Sequence, residues 1–163
     1  MTYRFEPLGE GHRTAVIDIF NHFIAQSFSA YYDQPFEYLF FDRLLEMVKG
    51  YPALAVIDEA GAVVGFGALH RWHPAAPFNR TAEISYFFAP SATGRGIGTA
   101  LLARLEHDAR EMDVDMILAS ISSRNEGSIR FHQKHGFREC GRFERVGRKF
   151  DQDFDVVWMQ KKI

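Results

Sequence analysis

Three glycines at alternate positions, Gly94, Gly96 and Gly98, constrain the fold of this chain more than any other feature. They stand between a segment that alternates like a strand, 81–89, and the strongest helical stripe of the sequence, 97–112. Glycine lets main-chain amides approach a ligand closely, and the first turn of a helix leaves its N–H groups without partners inside the helix. The spacing therefore predicts a strand-to-helix turn that binds an anion such as a diphosphate.

Two other phosphate-binding motifs do not fit this spacing. A Walker loop requires a lysine followed by serine or threonine after its last glycine, whereas Thr99 and Ala100 follow Gly98 here. A dinucleotide fingerprint requires Gly-x-Gly-x-x-Gly near the first strand of a βαβ unit, and the third glycine here comes one position too early. The remaining alternative is a tight turn in which the glycines serve the backbone alone.

The composition restricts the class of protein. A chain of 163 residues can bury enough apolar surface to fold without disulfides, and we expect one domain over residues 1–163. With 19 basic and 21 acidic residues the chain offers no cationic field, so neither nucleic acid nor a membrane is an expected partner. The single cysteine, Cys140, cannot form an internal disulfide, and no stretch approaches the ~20 apolar residues that cross a bilayer. We therefore expect a cytoplasmic protein.

Hydrophobic periodicity predicts the element order β-α-α-β-β-β-α-β-α-β-β. The predicted strands cover 3–6, 53–57, 62–69, 81–89, 115–121, 136–146 and 149–159, and the predicted helices cover 16–27, 36–48, 97–112 and 125–134. The unit from 81 to 121 predicts a right-handed parallel crossover, and the hairpins on either side predict antiparallel pairs. The expected fold class is therefore α/β, with a mixed, mostly antiparallel central sheet flanked by helices.

Several separated motifs resemble one family. The run from Thr93 to Gly98 is similar to the signature Gln/Arg-x-x-Gly-x-Gly/Ala of the GNAT superfamily of acetyl-CoA-dependent N-acetyltransferases, except that Thr93 replaces the Gln or Arg. The stretches 125–137, 146–150 and 155–160 resemble the phosphinothricin and methionine sulfoximine acetyltransferase branch nearly residue for residue. The resemblance covers essentially the whole chain. It implies the GNAT-type fold, acetyl-CoA as co-substrate without a metal, and a homodimer.

The resemblance also implies how the co-substrate is held. In this family the strand before the glycine turn binds the pantetheine arm through its main chain, and the turn binds the diphosphate. The implied contacts are Tyr86, Phe87, Phe88, Gly94, Arg95, Gly96, Ile97, Gly98, Thr99, Asn125 and Lys134. Main-chain N–H groups near Phe87 or Phe88 meet the charge that develops on the thioester oxygen. Asn125 also stands where an N-cap residue of the last helix belongs, and the two roles are compatible.

Two residues are catalytic candidates. Acetyl transfer requires an unprotonated amine, and an alkylamine at neutral pH is almost wholly ammonium, so a base is needed. Glu83 resembles the general base of the phosphinothricin branch; its alternative is an exposed strand residue paired with Arg80. His132 stands where many family members place a tyrosine that protonates the departing thiolate, and histidine can donate a proton near neutral pH. The alternative for His132 is a helix residue that only forms hydrogen bonds within the fold.

The acceptor site is less well defined by the sequence. Relatives that acetylate amino-acid analogues carry an arginine for the substrate carboxylate in a loop that resembles 71–78, and His73 occupies its position. Imidazole lacks the permanently charged fork of guanidinium, so carboxylate binding would depend on Arg71 or Arg80. The residues expected to contact the acceptor are Tyr31, His73, Phe78, Glu83 and Ser85.

Three functional hypotheses follow. The leading one is an acetyltransferase for the primary amine of a small molecule, such as an amino acid or an analogue of the phosphinothricin type. An acetyltransferase for protein N-termini and a non-catalytic acyl-CoA-binding module are the alternatives. Glu83 close to the glycine turn favours catalysis, and the bulky loop 71–78 favours a closed pocket. The spacings His70-x-x-His73 and His132-x-x-His135 suit two metal ligands each, but no cysteine or carboxylate completes either set, so we expect no metal.

Overall fold

The computed structural model describes residues 2–163, which form a seven-stranded sheet with four α-helices. The strands are β1 (Arg4–Pro7), β2 (Ala53–Ile57), β3 (Val63–Arg71), β4 (Thr81–Phe88), β5 (Met116–Ser122), β6 (Arg138–Lys149) and β7 (Gln152–Lys162). The helices are α1 (Arg13–Gln26), α2 (Phe40–Val48), α3 (Ile97–Arg110) and α4 (Glu126–Lys134). Short 3₁₀ helices occupy Glu10–His12, Ala76–Phe78 and Pro90–Ala92. No helix within residues 2–163 is long and apolar enough to cross a bilayer.

All seven strands lie in one sheet in the order β1-β2-β3-β4-β5-β7-β6. The pair β4–β5 is parallel, and every other neighbouring pair is antiparallel. α3 connects the two parallel strands, because parallel neighbours cannot be joined by a tight turn and need a crossover. The mixed, mostly antiparallel sheet flanked by helices that the sequence predicts is confirmed.

The two faces of the sheet are covered by different helices. On one face, Leu101, Leu105 and Ala109 of α3 are fully buried against the strands. On the other face, α1 and α2 bury a second cluster that includes Val16 and Phe41. The even-numbered side chains of β4 belong to the first cluster and Phe87 belongs to the second, because successive side chains of a strand point to opposite faces. The two faces of β4 therefore offer chemically separate surroundings.

α2 is shorter than the sequence predicts. The apolar spacing indicates a helix from Phe36, whereas α2 begins at Phe40. The ring of Phe36 stacks on that of Phe40 with 3.7 Å between centroids, and Asn21 Oδ1 accepts the main-chain N–H of Phe36 at 2.8 Å. Phe36 therefore reaches the core from an irregular segment, because α1 satisfies its backbone and no helical turn is needed there.

The closing hairpin turns later than the sequence predicts. The pattern places the break beside Gly147, but β6 continues to Lys149, and Phe150 and Asp151 form the turn at φ 51° and 55°. Two consecutive residues at positive φ are typical of type I′ turns, which match the twist of a hairpin. Gly147 serves packing instead, because a Cβ at that position would collide with the ring of Phe154.

Candidate active site

β4 and β5 pair with each other only near their beginnings. The parallel ladder covers three residues of β4, from Thr81 to Glu83. β4 continues to Phe88 and β5 to Ser122 without further pairing to each other, so a gap separates the two strands. The gap opens into a cavity of about 660 Å³ bounded by both strands, the start of α3 and one side of α4. A cavity of this size lies in the range of small-molecule and cofactor sites.

The register of β4 fixes which main-chain groups enter the gap. The N–H of Ala89 donates to the C=O of Val64 at 2.8 Å, and the pairing with β3 continues from there without a shift. Alternate residues of an antiparallel pair exchange hydrogen bonds, so the odd-numbered residues of β4 bond to β3. The N–H and C=O groups of Ile84, Tyr86 and Phe88 consequently point into the gap. Of the two N–H groups considered for the thioester oxygen, that of Phe88 points into the gap and that of Phe87 points toward β3.

The glycine turn lies between β4 and α3, as the sequence predicts. Gly94 and Gly96 lie at φ 74° and 77°, a region that side chains disfavour, and no atom stands within 4 Å of a Cβ placed on either. Gly96 is the N-cap of α3, and the first main-chain bond of that helix runs from the N–H of Ala100 to the C=O of Gly96 at 3.2 Å. The N–H groups of the first helical turn are therefore free to bind an anion.

Thr93 replaces the long polar side chain of the family signature with a short one. Its hydroxyl donates to the C=O of Pro90 at 2.9 Å, so the side chain folds back on the preceding 3₁₀ helix. At the other end of the turn, a Cβ on Gly98 would lie 3.3 Å from the ring of Phe131. The small residue at Gly98 thus lets α4 approach α3 closely while the main chain of the turn stays open.

Glu83 lies on the face of β4 that α1 and α2 cover. Ser120 of β5 donates its hydroxyl hydrogen to Glu83 Oε1 at 2.9 Å. The alternative in which Glu83 pairs with Arg80 is wrong, because the guanidinium of Arg80 binds the carboxylate of Asp115, with Nε 2.7 Å from Oδ1. Glu83 is half-buried and has no cationic partner among the ion pairs of residues 2–163, so its carboxylate is available to accept a proton.

Tyr31 stands beside Glu83 and Ser120. Burial raises the pKa of the Tyr31 phenol, the hydrogen bond with Ser120 opposes this, and the carboxylate of Glu83 raises the pKa further. The ring of Tyr31 stacks on Phe154 of β7, with 5.7 Å between centroids. Glu83, Ser120 and Tyr31 therefore form one polar group with an aromatic wall, at the edge of the gap.

His132 is buried in α4, with 3% of its surface exposed. Its Nδ1 lies 2.8 Å from the C=O of Ser128, and its Nε2 lies 2.7 Å from the hydroxyl oxygen of Tyr86. Burial lowers the pKa of the imidazole; the hydrogen bond to Ser128 opposes this effect and His135 adds to it. The ring is therefore neutral at neutral pH. Because a carbonyl only accepts, Nδ1 carries the hydrogen and Nε2 accepts from Tyr86.

Asn125 caps α4 and also lines the cavity. Its Oδ1 accepts the N–H of Ser128 at 3.2 Å, and its Nδ2 donates to the hydroxyl of Ser29 at 2.9 Å. The N-cap role expected for Asn125 is confirmed, and the same residue also lines the cavity. At the other end of α4, Thr99 Oγ1 lies 2.9 Å from His135 Nε2, which ties the start of α3 to α4.

The structure brings most of the predicted residues together, but not all. The cavity is lined by Ser85, Tyr86, Phe87, Phe88, Gly94, Gly96, Ile97, Gly98, Thr99, Asn125, His132 and Lys134. Arg95, Tyr31, Glu83, His73 and Phe78 do not line it. Among residues 2–163, no group of three or more His, Cys, Asp or Glu side chains could hold a metal ion.

The loop after β3 forms its own aromatic cluster. The ring of His73 packs on that of Phe78 with 4.5 Å between centroids, and its Nδ1 accepts the N–H of Ala75 at 3.1 Å. Arg80 is occupied by Asp115, and Arg71 stands opposite Ala82, on the α3 face of the sheet rather than the face of Glu83. Neither arginine is therefore placed to replace the missing cation at His73.

The sequence did not indicate that Ser120 and His70 lie near Glu83. Ser120 interrupts the apolar strand β5 and binds Glu83 directly. His70 stands opposite Glu83 in the β3–β4 register, so the two side chains share a face. The sequence did contain a signal for Ser120, because it is a polar residue within a strand that is otherwise mostly apolar.

Comparison with known proteins identifies the family. Residues 16–137 match the model of the acetyltransferase (GNAT) family. This chain belongs to that family. A GNAT relative from Salmonella typhimurium (strain LT2), an L-methionine sulfoximine/L-methionine sulfone acetyltransferase, is 31% identical over 100% of this chain and 95% of its own length.

Two solved structures extend the comparison. The ribosomal-protein-alanine N-acetyltransferase from Brucella melitensis is 31% identical, with a TM-score of 0.91 over 98% of this chain and 99% of that one. The acetyltransferase yncA from Salmonella typhimurium, solved with acetyl-CoA, is 28% identical, with a TM-score of 0.88 over 99% of this chain and 94% of that one. The protein is thus an N-acetyltransferase of the GNAT family that uses acetyl-CoA as co-substrate.

Proposed function

We propose that this GNAT protein transfers the acetyl group of acetyl-CoA directly to the primary amine of a small molecule, of the amino-acid or amino-acid-analogue type, with Glu83 as general base. The observation that carries the proposal is the position of Glu83 at the edge of the β4–β5 gap, bonded to Ser120 at 2.9 Å and without a cationic partner among the ion pairs of residues 2–163. The Salmonella typhimurium relative named for methionine sulfoximine supports an acceptor of amino-acid size.

In this proposal, one set of main-chain groups binds acetyl-CoA and another stabilises the charge that develops during transfer. The turn at Gly94 and Gly96 offers open main-chain N–H groups that fit a diphosphate, and the N–H and C=O groups of Ile84, Tyr86 and Phe88 fit the amides of a pantetheine arm. When bound there, acetyl-CoA supplies the acetyl group as a thioester. The N–H of Phe88 or its neighbours in the gap stabilises the charge that develops on the thioester oxygen.

Two side-chain roles are assigned: one group takes the proton of the amine, and another acts on the leaving thiolate from the opposite face of β4. Glu83, on one face, accepts the proton of the acceptor amine directly or through a water molecule. Tyr86 and His132, on the other face, are assigned to the departing thiolate as the source of a hydrogen bond or a proton, and their hydroxyl oxygen and Nε2 lie 2.7 Å apart. The proposed base and the proposed donor therefore lie on opposite faces of one strand.

A panel of acceptors tests the proposed function. We expect free CoA to be released with methionine sulfoximine, phosphinothricin or a related free amino acid, and no release with a peptide that begins with alanine. The second candidate function, acetylation of protein N-termini, is favoured by the similarity to the ribosomal-protein-alanine enzyme and predicts the reverse order. Calorimetric titration with acetyl-CoA accompanies the assay; binding without turnover on any amine indicates a binding module, and absence of binding contradicts the assigned site.

A homodimer and a cytoplasmic location belong to the same proposal. The edge strand β6 exposes Phe143 and Val146 by 57% and 60%, and apolar side chains this exposed are typical of a contact surface. The exposed, unpaired Cys140 suits a reducing compartment. Light scattering on the purified protein is expected to give a mass near twice 18.7 kDa, and replacing Phe143 and Val146 by lysine is expected to halve it. A wild-type mass of one chain contradicts the dimer.

A further inference from the structure

Tyr86 is placed between the gap and His132. Its main-chain N–H and C=O point into the gap, while its side chain lies on the α3 face and lines the cavity together with His132. The two rings are nearly parallel, at 13°, and the phenol oxygen is 2.7 Å from Nε2. Among the described residues 2–163, Tyr86 is also the only tyrosine that lines the cavity.

We propose that the phenol of Tyr86, and not the imidazole of His132, donates the hydrogen bond that stabilises the leaving CoA thiolate, and that His132 is a positioning residue that holds this phenol. The inference rests on the proposed acetyl transfer and names the residue that acts on its leaving group. His132 has no hydrogen to give toward the cavity, because its single ring hydrogen is on Nδ1 and is bound by the C=O of Ser128 at 2.8 Å.

The hydrogen bond of Tyr86 can change partner without a change in protonation. Its hydroxyl carries one hydrogen and two lone pairs, so rotation about the C–O bond redirects the hydrogen from His132 Nε2 to a sulfur in the gap. As the new C–N bond forms and the C–S bond breaks, the amine proton passes to Glu83 and the electron pair of the C–S bond stays on sulfur. The thiolate keeps its charge in the site and takes a proton from water after release.

The surroundings of Tyr86 favour donation of a hydrogen bond over transfer of a proton. Burial, and then the carboxylate of Glu106 on α3, raise the pKa of the phenol, so Tyr86 retains its proton beside a thiolate. Glu106 is itself paired with Lys161 of β7 at 2.5 Å. At the end of α4, Lys134 and His135 also line the cavity, and Nε2 of His135 lies 2.9 Å from Thr99 Oγ1. A hydrogen bond from a neutral donor to an anion is among the stronger ones in proteins.

Matched variants distinguish the role of Tyr86 from that of His132. Tyr86→Phe removes the hydroxyl and is expected to lower kcat by about 10- to 150-fold, the effect of one hydrogen bond to a charged group, with little change in KM for acetyl-CoA. His132→Gln cannot act as an acid but retains an oxygen that accepts from Tyr86, so kcat is expected to fall less than in Tyr86→Phe. Tyr38→Phe is the control, because Tyr38 is exposed and bonds to Asp18 outside the cavity.

A second measurement does not depend on turnover. The ultraviolet absorbance of the thiolate reports the titration of CoA bound to the protein, and Tyr86→Phe is expected to move that titration upward by about 1 to 2 pH units, because the anion loses its donor. His132→Gln and Tyr38→Phe are expected to leave it close to wild type. Thermal unfolding of each variant establishes that it is folded.

The outcomes are distinct. If His132→Gln abolishes activity while Tyr86→Phe retains it, or if Tyr86→Phe leaves the titration of bound CoA unchanged, the assignment to Tyr86 is overturned. If no amine is acetylated by the wild type, the proposed function fails, whereas the titration of bound CoA still decides the role of Tyr86.

Discussion

Replacing Glu83 by glutamine is expected to lower kcat for acetyl transfer by about 10²- to 10⁴-fold, the usual contribution of a positioned general base. Glutamine keeps the size of the side chain, and its amide oxygen can still accept the hydrogen bond that Ser120 donates to Glu83 Oε1 at 2.9 Å. It cannot take a proton from the amine, so the variant separates proton transfer from packing. Steady-state release of CoA, measured on protein whose melting temperature equals that of the wild type, gives the effect.

The pH dependence of this deficit distinguishes a base from a structural role. Since an alkylammonium in water has a pKa of about 10.4, raising the pH supplies more unprotonated amine from solution, and the ratio of wild-type to Glu83→Gln rates should fall as pH rises. Glu46→Gln is the matched control, because Glu46 is an exposed carboxylate of α2 that pairs with Lys49 and does not line the cavity. Equal turnover by wild type and Glu83→Gln at neutral pH would show that another group accepts the proton.

Periodicity and turn chemistry were sufficient to predict the arrangement of the fold. The order of strands and helices followed from local patterns, and the glycine turn followed from residues whose positive φ is a local requirement. The two errors have a common physical reason. Phe36 is apolar because it stacks on Phe40, and Gly147 is small because Phe154 lies against it, so tertiary packing placed each residue where a helix or a turn was expected.

The candidate site could be predicted only in part, because its key contacts join distant segments. The sequence indicated Glu83 and His132 separately and placed each on its element. It could not indicate that Ser120 of β5 bonds to Glu83, or that Tyr86 of β4 bonds to His132, since side-chain contacts between neighbouring elements depend on register and packing. The conformation of the loop that carries His73 likewise depends on the contact between the rings of His73 and Phe78. The spacing of residues in the sequence does not indicate such a contact.

The glycine turn gives the second large expected effect: Gly96→Val should weaken the binding of acetyl-CoA by about 5- to 30-fold. Gly96 lies at φ 77°, and a left-handed conformation costs a residue with a side chain about 1–2 kcal/mol, which corresponds to that range of affinity. No atom lies within 4 Å of a Cβ at Gly96, so the first side-chain atom of valine meets open space, and we expect the fold to persist. The free variant relaxes out of the left-handed region, and binding must restore the conformation that directs the N–H groups at the diphosphate.

Calorimetric titration of acetyl-CoA into wild type, Gly96→Val and Gly141→Val measures this effect directly. Gly141 is the matched control, because it also has open space around its Cβ position but lies outside the positive-φ region, on the edge strand β6. Unchanged affinity in Gly96→Val would mean that the diphosphate does not depend on the left-handed turn. A loss of affinity confined to Gly96→Val, with melting temperatures alike in all three proteins, ties binding to the backbone conformation of one residue, since the Cβ positions of Gly96 and Gly141 both meet open space.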